Sequence, residues 1–223
     1  MTAQLKIDFV SDVSCPWCAI GLSSLEIALD RLGNQIHADL HFQPFELNSQ
    51  MPAEGQEMVE HLAEKYGSTP EQIAQNHEAI RARGEGVGFT FGPRKRIYNT
   101  FDAHRLLHWA ELEGHQAALK HALFRAYFTD GEDPSSHEVL VRLAASVGLD
   151  AALASEILSS DAYAAEVRER EQFYLDRGIG SVPAIIINGK HLIQGGQPPE
   201  VFQRALLQVA EAQLQDTEGT TPR

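Results

Sequence analysis

Cysteine is scarce: the 223-residue chain has two, which excludes a disulfide framework, and a chain of this length does not need one to bury a core. No uninterrupted apolar run approaches the roughly 20 residues that cross a bilayer. The opening Met1-Thr2-Ala3-Gln4-Leu5-Lys6-Ile7-Asp8 lacks the basic region and long apolar stretch of a signal peptide. The expectation is a cytoplasmic protein with no membrane partner. Basic residues are few, 18 against 31 acidic ones, for a formal charge of -13. Such a chain repels phosphate backbones, which argues against a general nucleic-acid partner. The polar residues 215–223 are predicted to be a disordered tail. What is left, 43% hydrophobic and 22% charged, fits one or two globular domains.

The two cysteines lie together in Cys15-Pro16-Trp17-Cys18. A C-x-x-C pair in a cytosolic chain is a redox couple when it sits in a βαβ unit, and half a metal site when further ligands follow. Leu5, Ile7 and Phe9 alternate with polar residues before the motif, which predicts a strand. From Ile20 to Leu32 apolar residues recur at helical spacing and end at Gly33. Ile36, Ala38, Leu40 and Phe42 alternate again, so a β-α-β unit closes near Phe45. Residues 51–158 then read as almost entirely helical. Thr69-Pro70-Glu71-Gln72 and Ser135-Ser136-His137-Glu138 look like capping sequences, and helices are expected over 100–113, 116–128 and from 135 to Gly148. A further helix over 162–177 leads to Val182-Pro183. The apolar strand Ala184-Ile185-Ile186-Ile187 follows, then the hairpin dipeptide Asn188-Gly189, a return strand His191-Leu192-Ile193-Gln194 and a last amphipathic helix over 199–214.

A thiol at the first turn of a helix meets unpaired N–H groups and the positive end of the helix dipole, which favour thiolate. Cys15 holds that position and is expected to be exposed and reactive. Cys18, one turn deeper, is placed to resolve a mixed disulfide on Cys15 and is expected to be shielded. Pro16 suits the first helical position, and Trp17 adds apolar surface beside the thiol. His104, His108, Glu111 and His115 share a helical face by spacing, but nothing links them to the cysteines, so no metal site is assigned. The stretch Gly84-Glu85-Gly86-Val87-Gly88-Phe89-Thr90-Phe91-Gly92 matches neither phosphate-loop pattern and reads as a loop between helices. Arg94-Lys95-Arg96 is a local basic spot, either solvated or a receiver of an anionic substrate, and is given no role.

A Cys-x-x-Cys after the first strand and a Val-Pro before the third resemble the thioredoxin fold, and a helical block between its halves resembles the DsbA family. Asp12-x-x-Cys15-Pro16-Trp17-Cys18-x-x-Gly21, Asn99-Thr100-x-x-Ala103-His104-Arg105 and Gly195-Gly196-Gln197-Pro198 resemble its FrnE-type cytoplasmic branch. The resemblance implies an α/β thioredoxin fold with a large inserted helical domain: residues 1–50 and 159–214 form the thioredoxin-like part and 51–158 the insertion. It also implies that Cys15 is the nucleophile, Cys18 the resolving cysteine and Pro183 a cis-proline facing Cys15. The Val182 backbone would then bind an incoming peptide. Many relatives bury an acidic residue six positions before the first cysteine. Phe9 stands there in this chain, with Asp8 and Asp12 displaced to either side.

The function expected is a cytoplasmic thiol-disulfide oxidoreductase acting on protein or small-molecule thiols and disulfides. It needs no cofactor beyond glutathione as a conceivable co-substrate. Its direction, whether reduction, oxidation or isomerisation, follows from potential and partners, although a cytoplasmic location favours net reduction or isomerisation. A groove beside Trp17, lined by the helical block with Asn99 and His104 as candidates, would hold the substrate. Two other classes stand beside this one. A glutathione-dependent transferase or isomerase of the kappa-class or 2-hydroxychromene-2-carboxylate isomerase type would generally have serine where Cys15 stands and no counterpart of Cys18. A zinc-binding or docking module would bind metal and exchange no disulfides.

Overall fold

The computed structural model describes residues 2–52 and 54–218. In chain order, β1 (Ala3–Ser11), α1 (Pro16–Leu32) and β2 (Ile36–Pro44) form the first unit. The small strand β3 (Gln56–Glu57) follows, then α2 (Met58–Tyr66), α3 (Pro70–Glu85) and the small strand β4 (Arg96–Ile97). Helices α4 (Phe101–Leu112), α5 (Gln116–Phe124), α6 (His137–Ser146), α7 (Ala151–Leu158) and α8 (Ala164–Leu175) come next. The chain closes with β5 (Ala184–Ile187), β6 (His191–Gln194) and α9 (Pro199–Glu218). The main sheet has the order β2-β1-β5-β6. β1 pairs in parallel with β2 from Ala3 opposite Ile36 to Ser11 opposite Pro44, and antiparallel with β5 from Ile7 opposite Ile187 to Val10 opposite Ala184. As the central strand, β1 is buried at every position past Lys6, with the polar Asp8 and Ser11 buried beside the apolar Ile7, Phe9 and Val10, because the sheet is covered on both faces there.

The Asn188-Gly189 turn joins β5 to β6 with positive φ at both residues, 52° and 66°, the geometry that makes this dipeptide a hairpin signal. Thr69 caps α3 in a full capping box with Gln72. Several local expectations are corrected. Ser136, not Ser135, caps α6, because Ser135 is turned toward the Asp133 carboxylate. The helix expected over 116–128 ends as a π turn at Arg125–Thr129. Asp150 caps a separate helix, α7, through the amides of Ala152 and Leu153. Gly84 and Glu85 belong to α3, so the glycine-rich loop starts at Gly86. α9 runs to Glu218, into the segment expected to be disordered, and 219–223 lie outside the described residues. The β3–β4 ribbon was not expected, because two residues per strand carry no readable alternation.

One apolar core joins Leu5, Ile7 and Phe9 of β1 to Leu22 and Leu25 of α1, Phe202 and Leu206 of α9, and Phe91, Phe124, Tyr127 and Phe128 from the helical segment. A second, mostly of α4–α7, includes Leu106, Trp109, Leu119 and Leu140 together with Val13 from the turn before α1. The helical segment therefore packs on the sheet as well as on itself. Among the described residues no helix is long and apolar enough to cross a membrane.

Candidate functional site

Cys15 is the N-cap of α1, with extended backbone, and Pro16 opens the helix. Its N–H donates to the Asp12 carbonyl at 3.2 Å, and its own carbonyl accepts from Cys18 N at 3.0 Å. Both thiols are free. By area neither is exposed: Cys15 is 3% accessible and Cys18 0%. The expectation of an exposed Cys15 is corrected in that sense, yet Cys15 faces a cavity that Cys18 does not reach. The Cys15 thiol donates to the Val182 carbonyl, with Sγ 3.6 Å from the oxygen. The Val182-Pro183 peptide is cis. Pro183 itself is buried. Its carbonyl accepts from Gly195 N at 2.8 Å, and its ring lies where a side chain on Gly21 would be, 3.1 Å from an added Cβ. A Cβ on Gly196 would come within 2.9 Å of the Trp17 carbonyl. Gly21 lets α1 pack on the proline ring, and Gly196 lets the β6–α9 turn pack on α1.

Beneath the cysteines lies a buried set of charged groups. The Asp12 side chain is fully buried and accepts from Ser14 N at 3.0 Å, Ser14 Oγ at 2.9 Å and Leu47 N at 2.7 Å. His104 Nε2 stands 3.6 Å from Asp12 Oδ1, an ion-pair distance rather than a hydrogen bond. Burial raises the Asp12 pKa, but His104 and the two amides outweigh it and hold the carboxyl below its ordinary value. Lys120 of α5 is 1% accessible, its ammonium over the rings of Phe124 at 4.8 Å and Phe42 at 6.0 Å. Burial pushes this lysine down to about 8, against the pull of Cys18, Asp12 and Cys15. The Cys18 thiol is raised well above its ordinary value by burial, by its hydrogen bond with Cys15 and by the charge of Cys15, while Lys120 acts in the opposite sense. Cys18 is thus a protonated thiol at rest, with a buried cation nearby to favour its thiolate when one forms.

A cavity of about 690 Å³ opens on Cys15. It is lined by the active-site turn with Pro16 and Trp17, by the 180–182 segment with Val182, by α2 and α3, and by Arg94 and Ile97. Ile73, Asn76, His77 and Ile80 line it from α3 at the spacing of one helical face. Pro183 does not line it, and neither do Asn99 and His104, which corrects the expected groove. Asn99 instead fixes the start of α4, its Oδ1 accepting from Phe101 N at 2.9 Å. Arg105 binds the carbonyls of Ile157, Ser160 and Ala162. His108 packs on Tyr163, and Glu111 pairs with His41 and Arg170. The polar face of α4 is therefore taken up by structural contacts.

The model of the DSBA-like thioredoxin domain family matches residues 6–207. The chain belongs to this family. A solved relative, the probable DsbA oxidoreductase SCO1869 of Streptomyces coelicolor, is 33% identical with a TM-score of 0.86, covering 92% of this chain and 89% of that one. The uncharacterized protein YwbO of Bacillus subtilis (strain 168) is 27% identical over 92% of this chain and 96% of its own. At the level of fold the chain is also similar to the cytosolic disulfide reductase DsbM of Pseudomonas aeruginosa with GSH, with a TM-score of 0.62 and 20% identity over 94% and 99% of the two chains. It is likewise similar in fold to a 2-hydroxychromene-2-carboxylate isomerase, with a TM-score of 0.69 and 15% identity over 97% and 100%.

As a DSBA-like protein the chain is a thiol-disulfide oxidoreductase of the thioredoxin fold. The sequence reading found its cysteines and its cis-proline loop. It missed Lys120, Tyr66, His61 and His77 and gave Arg94 no role, because each gains significance only from packing. For Lys120 one signal was present: it lies between Leu119 and Leu123 on a short helix whose inward face is apolar.

Proposed function

We propose that Cys15 and Cys18 form a dithiol–disulfide couple in a cytoplasmic enzyme of the FrnE-type branch that reduces or isomerises disulfides. One observation carries this reading: two free cysteines one helical turn apart, of which only Cys15 meets the cavity. The Cys15 thiolate attacks one sulfur of a substrate disulfide, forming a mixed disulfide and expelling the other half as a thiolate. Cys18 then loses its proton and attacks Cys15 Sγ. The second substrate half leaves as a thiolate, and the protein is oxidised by two electrons. An external dithiol or glutathione restores it. Likeness in fold to cytosolic DsbM with GSH supports the compartment and glutathione as co-substrate. The isomerase alternative draws on likeness in fold alone and gives no work to Cys18.

The test is trapping. Cys18→Ser should accumulate mixed disulfides with protein or glutathione, and Cys15→Ser should trap none, both read by non-reducing gels and mass spectrometry. Equal trapping by the two variants would refute the division of roles, and trapping by neither would favour the isomerase reading.

A further inference from the structure

The chain carries 31 acidic residues and 18 basic ones, yet among the described residues no aspartate or glutamate lines the cavity on Cys15, while Arg94, His61 and His77 do. Burial and neighbouring cations hold His61 and His77 below the ordinary histidine value, so Arg94 is the cation of this cavity among the described residues. Arg94 is half-buried and stacked on Phe128 and Tyr127, its guanidinium carbon 4.6 and 5.1 Å from the ring centroids. Among the described residues no carboxylate lies within ion-pair distance of Arg94, a condition it shares with Arg83, Arg96, Arg125, Arg177 and Arg204, but of these only Arg94 lines the cavity. Contact with both rings, and the hydrogen bond it makes with Tyr127, hold the guanidinium in place, and its fork of several N–H donors exceeds what that one oxygen can take. A planar cation held in place, without a carboxylate and open to an acid-free cavity, suits a carboxylate supplied by a ligand. The volume of about 690 Å³ falls within the roughly 300–1,000 Å³ of small-molecule sites, and Trp17 and Tyr66 give it aromatic walls beside the thiol.

We propose that this cavity selects small disulfides and thiols that carry a carboxylate, with Arg94 receiving the carboxylate while Cys15 meets the sulfur. The inference rests on the redox reading for its chemistry, which remains the two-step exchange above, and on the cavity alone for its selectivity. Binding and exchange therefore test the two separately.

S-methylglutathione, which cannot exchange, should bind the wild type. Its affinity should fall at least tenfold when its carboxylates are esterified, and by a similar factor in Arg94→Met, with Arg94→Lys between, all read by calorimetry. In stopped-flow oxidation of the reduced protein, the rate ratio of glutathione disulfide to bis(2-hydroxyethyl) disulfide should drop at least tenfold in Arg94→Met. Arg81→Met, a surface control, should leave the ratio within twofold. Equal binding of the acid and the ester, or an unchanged ratio in Arg94→Met, would overturn the carboxylate site. Binding that behaves as expected while no disulfide oxidises the wild type would instead overturn the redox reading and leave the carboxylate site standing.

Discussion

Lys120 is a cation that the folded chain keeps at a disadvantage, so replacing it with methionine should stabilise the protein at neutral pH. Methionine preserves the length and apolar stem but removes the ammonium buried against Phe124 and Phe42. The folded lysine ionises at about 8, against about 10.4 for a free side chain. At about 1.36 kcal/mol for each tenfold change in proton affinity, the buried charge costs about 3 kcal/mol at pH 7. Being fully buried, it has no solvent screening to discount. Below pH 8 both folded and unfolded lysines are protonated and the whole penalty stands. Between about 8 and 10.4 the folded lysine is neutral while the unfolded one still binds a proton, so stability from this group rises with pH. The gain from Lys120→Met should therefore be about 3 kcal/mol at pH 7 and only about 1.5 kcal/mol at pH 9.5. Urea denaturation of both reduced proteins at the two pH values measures this, with midpoints compared at equal slope. A variant less stable than the wild type at pH 7, or a gain that does not shrink with pH, would show that the ammonium is not held at a cost.

Limiting iodoacetamide should modify Cys15 before Cys18, because Cys15 meets the cavity and the Cys18 thiol is held protonated; peptide mass spectrometry finding Cys18 first would reverse their roles. Gly196→Ala should cost about 1–3 kcal/mol, since its Cβ would sit 2.9 Å from the Trp17 carbonyl. Gly86→Ala, whose Cβ meets nothing closer than 3.5 Å, should be neutral, so equal melting temperatures for the two variants would refute the close approach. Asp12→Asn should cost about 1–3 kcal/mol at pH 7, because the carboxylate holds the Ser14 and Leu47 amides. Its lowered pKa makes that contribution full above about pH 4 and lost as pH falls through the folded value. Denaturation showing a pH-independent difference would contradict this.

What the sequence made legible is what repeats locally. Alternation marked β1 and β2, helical spacing marked α1, and Asn188-Gly189 marked its hairpin, because each signal is complete within a few residues. The motif Asn99-Thr100-x-x-Ala103-His104-Arg105 was visible as a pattern but not as a set of tasks. Asn99 starts a helix, His104 faces Asp12 and Arg105 ties down carbonyls at the end of α7 and just beyond it. Those partners lie at distances along the chain that no periodicity reports. The buried Lys120 and the stacked Arg94 were hidden for the same reason, since charged side chains are by default solvated and only the fold shows otherwise. Gly21 and Gly196 read as motif letters until the ring of Pro183 and the carbonyl of Trp17 were seen beside them.

The central position of β1 has a consequence during synthesis. One edge of this strand is satisfied early by β2, but the other waits for β5, with Phe9 opposite Ile185. At roughly 5–20 residues per second, the intervening length takes the ribosome about 10–35 s to produce. For that interval the nascent chain carries an open, strongly apolar strand edge of the kind that other chains can pair with. Release of the last strands is then the event that closes the edge, so the burden on chaperones falls between the making of the cysteine motif and the emergence of the C-terminal hairpin.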